Sequence, residues 1–368
     1  LIDPSFRSGS TMKFHMQEWI VIEYHKRLAT STKPIRFSRI GDSTEQISKL
    51  PDNGILENDS AGTRCKSTVV IEPSVQINTH LLDECIEFLE SRGRKSHWRN
   101  EIFELNKGWL IDWRKSTEND LCPGRIPQLY QEGASGRLTP FYGVDFPHVI
   151  PTPSRIRSVV FGEMGLYDYD LENAHYTIFD ALVKQEGLTL PAVSAYVQQK
   201  HEIREKYSER FDVKVKTLKS YWISWLNGGS NADHFENRFY RLLGPSILKE
   251  IKEDAYLSQL YKEVVTGRKA VVKRHQDEDG SILNILGKRK PPVGFRKRLS
   301  HILFGYEALA IQEVNNTIGS KMKMLIYDGW IGEKVDVDAL ALIVSDKIGI
   351  DVKFSEELIG SVEFTNLR

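Results

Sequence analysis

The most constraining feature of this sequence is a short segment that sets two carboxylates among aromatic residues, Leu166 to Phe179 (LYDYDLENAHYTIF). Asp168 and Asp170 are two residues apart, so in a β-strand both side chains lie on one face. The pattern that follows, from Asn173 to Phe179, predicts the start of a buried helix. An acid at a strand-to-helix junction is held rigidly, which suits a metal ligand. Asp170 would equally suit the N-cap of the helix.

A second acid is predicted at the tip of a hairpin. In the segment Lys323 to Ile331 (KMLIYDGWI), the apolar run that ends at Ile326 is followed by Tyr327-Asp328-Gly329-Trp330, which has the composition of a sharp turn. Asp328 would therefore be aimed from between two apolar strands.

Composition limits where a polyanion could bind. The chain has 50 basic and 50 acidic residues and no net charge, so any nucleic-acid surface must be a local concentration of lysine and arginine. Residues 267–298 are such a region, with ten basic and three acidic side chains. Its Gly- and Pro-bounded strand and turn, Ser281 to Pro291, favours contact with a phosphate backbone. A solvated charged face is the alternative.

The remaining bulk properties predict a soluble cytoplasmic protein. The three cysteines, Cys65, Cys85 and Cys122, are too widely spaced for a disulfide framework or a metal site. No apolar run approaches the roughly 20 residues that a membrane span requires, so no membrane partner is expected. Residues 1–11 are predicted to be vector-derived sequence ahead of a natural start at Met12.

A helix with lysines at one end and aromatic residues further along is predicted from Lys214 to Leu226, ending at Asn227-Gly228. Such a helix could hold a triphosphate and stack on a base. It could equally be an amphipathic core helix with a solvated end.

Residues before about 95 are predicted to form a helical appendage of unknown role.

The order of these segments resembles the polymerase core of the family A DNA polymerases, the DNA polymerase I family, from about Pro123 to the C-terminus. The family's GR-I and TGRL patterns correspond to Gly124-Arg125-Ile126 and Ser135-Gly136-Arg137-Leu138, and its I-P and R-x-x-F patterns to Ile150-Pro151 and, with one extra residue, Arg157 to Phe161. Its first catalytic motif, D-Y-S-Q-I-E, corresponds to Asp170 to His175, and its fingers lysine to Lys219, eight residues before Asn227-Gly228. Its later motifs correspond to Asn284 to Lys290, to Phe304 to Ala308, and to Tyr327-Asp328-Gly329.

The resemblance implies an α+β right-hand polymerase with an antiparallel palm, helical fingers and a short helical thumb. The domains expected from it are an N-terminal appendage at 12–95, the thumb and the approach to the palm at 96–160, palm at 161–180, fingers at 181–283 and palm again at 284–368. No segment resembles a proofreading exonuclease, which suggests a minimal enzyme of a phage or other mobile element.

The implied reaction is template-directed extension of a primer 3′-hydroxyl with dNTPs, by phosphoryl transfer at two Mg²⁺ ions about 3.5–4 Å apart, for which Mn²⁺ can substitute. The metal ligands implied are Asp170, Asp328 and the Leu171 carbonyl, with Asp168 as the rival of Asp170. Lys219 would contact the triphosphate and share the catalytic role. The remaining residues of the nucleotide site would be His175, Tyr221, Ile223 and Asn227. Primer-template phosphates would contact Arg137, Arg157, Lys288, Arg289 and Lys290.

Departures from the family pattern leave sugar discrimination open. His175 replaces the gate glutamate, Asn227 its partner tyrosine, and Ile223 an aromatic residue, and the last motif lacks its glutamate. A primase-like or single-subunit RNA polymerase that uses rNTPs is therefore a rival interpretation. A degenerate polymerase fold that only binds primed nucleic acid is another. Replication partners, template type and oligomeric state are not specified by the sequence.

Overall fold

A computed structural model of the chain describes residues 35–38, 68–92, 100–118, 124–140, 158–159, 161–230, 238–292 and 297–360. The predictions for residues 1–34, for Ile150-Pro151 and for the phosphate-binding Arg157 lie outside the described residues. The helices are α1 Thr79–Arg92, α2 Asn100–Thr117, α3 Ala174–Gln185, α4 Pro191–Gln198, α5 Lys200–Phe211, α6 Val215–Leu226, α7 Arg238–Glu253, α8 Ala255–Arg274, α9 Arg298–Ile318 and α10 Val337–Ile348. The strands are β1 Ile35–Ser38, β2 Thr68–Gln76, β3 Arg125–Glu132, β4 Leu138–Pro140, β5 Tyr167–Leu171, β6 Ile282–Leu283, β7 Arg289–Lys290, β8 Met322–Ile326, β9 Gly329–Gly332 and β10 Phe354–Leu358.

A four-stranded antiparallel sheet in the order β10-β5-β9-β8 carries both predicted acidic segments. In β5, Tyr169 and Leu171 are buried while Asp168 and Asp170 lie on the other face. Tyr169 stacks on Trp330 of β9, with ring centroids 4.6 Å apart. The predicted acid-bearing strand and the helix after it (α3) are therefore confirmed, and Asp170 belongs to the strand instead of capping the helix.

The region between β5 and β6 is helical, as predicted. In α6, the apolar side chains recur with the 3.6-residue helical period, so that one face is buried against the neighbouring helices. The buried side chains of this helix are Leu218, Tyr221, Trp222, Trp225 and Leu226. The helix ends where Gly228 adopts a φ of 84°, which confirms the terminator predicted at Asn227-Gly228.

The segment after Pro123, which lies within the expected thumb and approach to the palm at 96–160, contains two strands, β3 and β4. They extend an antiparallel sheet in the order β1-β2-β3-β4. Tyr130 connects this sheet to the central one, because its hydroxyl donates to the Leu325 carbonyl at 2.9 Å and accepts from the Leu325 amide at 3.1 Å. Pro127 did not prevent strand pairing, since the register of β3 against β2 is irregular beside it.

The N-terminal helix α1 packs into the same core as the rest of the chain. Leu82 and Cys85 of α1 are fully buried in the apolar cluster that also contains Tyr169 and Phe179. Helix α1, which lies within the predicted N-terminal appendage, therefore shares its core with the central sheet and with α3.

The basic segment forms a smaller hairpin than the sequence indicates. The predicted strand Ser281 to Leu286 is reduced to β6, which pairs with β7. Asn284 lies between them and holds the turn, because its side-chain oxygen accepts from the amides of Leu286 and Lys288. Gly305 of α9 lets the Asn284 side chain approach closely, because a Cβ at position 305 would lie 2.7 Å from its Cγ atom. Within the described ranges, no helix is both long and apolar enough to cross a membrane.

Candidate active site

The two predicted catalytic acids lie on neighbouring strands of the central sheet. Asp170 of β5 is paired with Gly329 at the start of β9, so Asp328 in the preceding turn lies beside it. The Leu171 amide donates to the Asp328 carbonyl at 3.0 Å, which fixes the two backbones together. Asp168 is paired with Ile331, two residues further from the turn. The register thus brings Asp170, rather than Asp168, next to Asp328.

Gly329 makes this approach possible. A Cβ atom at position 329 would lie 2.0 Å from the carbonyl oxygen of Tyr169 and 3.2 Å from the Cα of Asp170. Tyr327, on the other side of Asp328, has a φ of 51°. The turn between β8 and β9 is therefore unusually tight, and it presents Asp328 at its tip.

Replacing Gly329 by alanine is expected to destabilise the protein by about 3 kcal/mol or more, because the methyl group must displace strand backbone. Thermal or urea unfolding measures the change. Gly108→Ala is the matched control, since a Cβ there meets no atom within 4 Å and position 108 lies inside α2. Similar unfolding midpoints for the two variants would contradict the predicted contact.

Burial and like charge disfavour ionisation of both acids. Burial, with a smaller contribution from the charge of Asp328, raises the pKa of the Asp170 carboxyl to about 7, and Lys219 opposes the shift. The side chain is nevertheless exposed to water on one side. Burial also raises the pKa of Asp328, with Glu307 adding to the effect and Arg137 opposing it. Two acids that resist ionisation side by side are typical of a functional site.

Because the folded protein holds the Asp170 proton at pH values where the unfolded chain has lost it, stability should fall as pH rises from about 4 to about 7. Asp170→Asn removes this cost. In metal-free buffer the variant should melt about 1–3 °C above wild type at pH 8, a shift kept small by solvent screening, and much closer to it at pH 4.5. Asp346→Asn, at an exposed acid of α10, is the control. An equal pH dependence in both variants would contradict the prediction.

The α6 helix presents Lys219 towards the acids. Lys219 is exposed and close enough to Asp170 to lower its pKa. Tyr221 was predicted to contact a nucleotide, but its ring is fully buried against Trp225 and Phe239, so this prediction is wrong. The helical period explains the error, because Tyr221 is on the core face.

The other residues predicted on the nucleotide side are partly exposed. Ile223 is half-buried against the core, and Asn227, just past the end of α6, is half-buried with its side-chain oxygen enclosed and without a hydrogen bond to any described residue. His175, at the start of α3, has a side chain that is 17% exposed.

A buried carboxylate that the sequence did not single out lies behind Asp328. Glu307 of α9 has a side chain only 1% exposed. Its Oε1 is 2.9 Å from Nε2 of His175, and its Oε2 is 3.4 Å from Nη1 of Arg137. The Nη2 of Arg137 is 3.7 Å from Oδ1 of Asp328. The available signal was an acid inside the otherwise apolar stretch of α9, but the helix alone does not reveal its partners.

Arg137, predicted to bind phosphate, is therefore held by protein groups. Its guanidinium carbon lies over the rings of Phe304 and Tyr327, at 4.8 and 5.0 Å from their centroids. The two carboxylates and the two rings therefore hold Arg137 beside Asp328 in the ligand-free chain.

The basic hairpin is also paired internally. Arg289 lies 2.8 Å from Asp279 and 3.3 Å from Asp277, and Lys288 lies 3.1 Å from Glu132. Burial and Lys297 lower the pKa of Lys290. A phosphate backbone would have to compete with these acids for Lys288 and Arg289, whose side chains are about half exposed.

Asp170 and Asp328 could bind Mg²⁺ together with water and substrate oxygens. They do not form a site in which protein side chains supply every ligand. Among the residues that the structure describes, no three His, Cys, Asp or Glu side chains are grouped to hold an ion. Mg²⁺ commonly uses one or two carboxylates with water and substrate phosphates. Asp170 and Asp328 meet this requirement, and a divalent cation would relieve the repulsion that raises the pKa of Asp170.

Comparisons with known proteins support the fold. No family model matches the sequence, and neither does any curated protein. Among solved structures, the chain is similar to the polymerase domain of Pol1 from M. smegmatis in complex with DNA primer-template and dNTP, with a TM-score of 0.54 and 13% sequence identity. The match covers 78% of this chain and 67% of that one. The described helices and small antiparallel sheet therefore form a polymerase-like fold.

Proposed function

We propose that this chain is a template-directed nucleotidyltransferase that extends a primer 3′-hydroxyl with dNTPs and releases pyrophosphate. The observation that supports it most is the register that brings Asp170 beside Asp328, reinforced by the Leu171–Asp328 backbone hydrogen bond of 3.0 Å. Likeness to a domain whose complex contains primer-template and dNTP is consistent with the same class of reaction.

Each residue then has a distinct task. Asp170, Asp328 and the Leu171 carbonyl would hold Mg²⁺, which when bound would supply activation of the attacking hydroxyl and neutralisation of phosphate charge. Lys219 approaches from α6 and would contact the triphosphate, where its charge would stabilise the departing pyrophosphate. His175, Ile223 and Asn227 would border the bound nucleotide. Lys290 would contact primer-template phosphates, and so would Lys288 and Arg289 after release from their acidic partners.

Primer extension tests this proposal. Wild-type protein with a labelled primer on a DNA template, four dNTPs and Mg²⁺ should give a ladder of extended primers. One pyrophosphate should be released for each nucleotide incorporated, and EDTA should stop both extension and release. A protein that binds the primer-template yet releases no pyrophosphate would contradict the proposal and favour a module that only binds nucleic acid.

Ribonucleotide use is the second candidate, because the gate position is occupied by His175 in contact with Glu307. The same assay with four rNTPs decides between the two. We expect dNTPs to be incorporated faster; a strong preference for rNTPs would contradict the DNA polymerase assignment and support a primase-like or RNA polymerase activity.

A further inference from the structure

Glu307 is a buried charge that the proposed reaction does not use directly. A carboxylate that is 1% exposed is costly unless neighbouring groups compensate for it. Neither of its oxygens makes a well-aligned hydrogen bond within the described part of the chain, and the groups that face them are the basic side chains of Arg137 and His175. A fully buried acid of this kind, placed directly behind a candidate metal ligand, calls for a physical explanation.

The two basic side chains come from separate elements. Arg137 lies in the turn between β3 and β4, and His175 lies at the start of α3, five residues after Asp170. Glu307 on α9 contacts both, at 3.4 and 2.9 Å. One carboxylate therefore joins three elements around the two acids.

Arg137 is shared between Glu307 and Asp328. The nitrogen–oxygen distance is 3.4 Å to Glu307 and 3.7 Å to Asp328, and the two rings restrain the guanidinium group from moving sideways. Without the Glu307 charge, Asp328 would remain as a charge partner of Arg137, and Arg137 would neutralise the oxygen that a metal needs. The two carboxylates thus compete for one arginine.

We propose that Glu307 is a positioning residue that draws Arg137 away from Asp328 and so keeps the Asp170–Asp328 pair free to bind a divalent cation. Glu307 is too deeply buried to bind the ion, and it acts through Arg137. This inference rests on the metal site of the proposed function.

Binding of Mn²⁺ alone to the nucleotide-free protein, measured by calorimetry, tests the proposal. Glu307→Gln keeps the shape of the side chain and removes the charge, and we expect it to weaken Mn²⁺ binding about tenfold. Glu313→Gln removes the same charge two turns further along α9 and should leave the affinity unchanged. Equal affinities of wild type and Glu307→Gln would overturn the proposal.

A second substitution tests whether the effect of Glu307 passes through Arg137. If Glu307 acts through Arg137, the double variant Glu307→Gln/Arg137→Met should recover most of the lost affinity. The single variant Arg137→Met should bind Mn²⁺ more tightly than wild type, and this expectation holds even if Glu307→Gln fails to fold. No recovery in the double variant, or weaker binding by Arg137→Met, would overturn the inference.

The same titration distinguishes failure of this inference from failure of the proposed function. Wild type should bind Mn²⁺ and Asp328→Asn should not. If wild type binds no Mn²⁺, the metal site itself is wrong. If wild type and Asp328→Asn behave as expected while Glu307→Gln matches wild type, only the role of Glu307 is wrong.

Discussion

Asp328→Asn is expected to lower primer extension by about 10³-fold or more, because it removes one of the two charges that hold the catalytic cation while preserving the shape of the turn. The tight turn formed by Tyr327 and Gly329 should be retained, so the variant should melt near the wild-type temperature. Single-nucleotide incorporation with saturating primer-template measures the loss.

Matched variants make this prediction specific. Asp170→Asn should have an effect of similar size. Asp168→Asn should retain most activity, because its strand position is two residues further from the turn that bears Asp328. Asp346→Asn controls for the loss of an exposed acid. A larger loss for Asp168→Asn than for Asp170→Asn would mean that the metal ligand on β5 was assigned to the wrong residue.

Lys219→Met is expected to lower incorporation by about 10²-fold and to raise the KM for the nucleotide. The variant lacks the positive charge that would contact the triphosphate and stabilise the departing pyrophosphate. Methionine keeps the length and helix propensity of the side chain. Stability should therefore change little, and circular dichroism and thermal melting check this.

Lys216→Met is the control for Lys219, since both lysines are exposed on α6, three residues apart. Lys216 should tolerate the change with less than about a threefold loss. Equal effects at both positions would indicate a diffuse electrostatic contribution and would contradict a specific role for Lys219.

Sequence patterns were most informative where a short segment specifies its own geometry. The two-residue spacing of Asp168 and Asp170, the Asp328-Gly329 turn and the period of α6 each predicted a local structure that the chain adopts. The close packing of Gly329 against Tyr169 was not predicted, because it depends on a strand about 160 residues away. Membership of family A stays a prediction from the motifs.

The sequence was least informative about which side of a helix is buried and about which distant side chains are paired. Tyr221 was expected beside the nucleotide because it lies near Lys219, but two residues along a helix is a rotation of about 200°, which places the ring in the core. The partners of Arg289 and Arg137 were missed for a different reason. Charge runs reveal the number of basic groups, whereas Asp279 and Glu307 reach them only through the folded hairpin and through α9.

The most direct test of the shared metal site is anomalous diffraction from a crystal of the protein grown with Mn²⁺, primer-template and a non-hydrolysable dNTP analogue. Anomalous peaks in contact with carboxylate oxygens of both Asp170 and Asp328, with the analogue's phosphates on the same ions, are the predicted result. Peaks at Asp168 alone, or a bound nucleotide with no manganese between the two acids, would contradict the account.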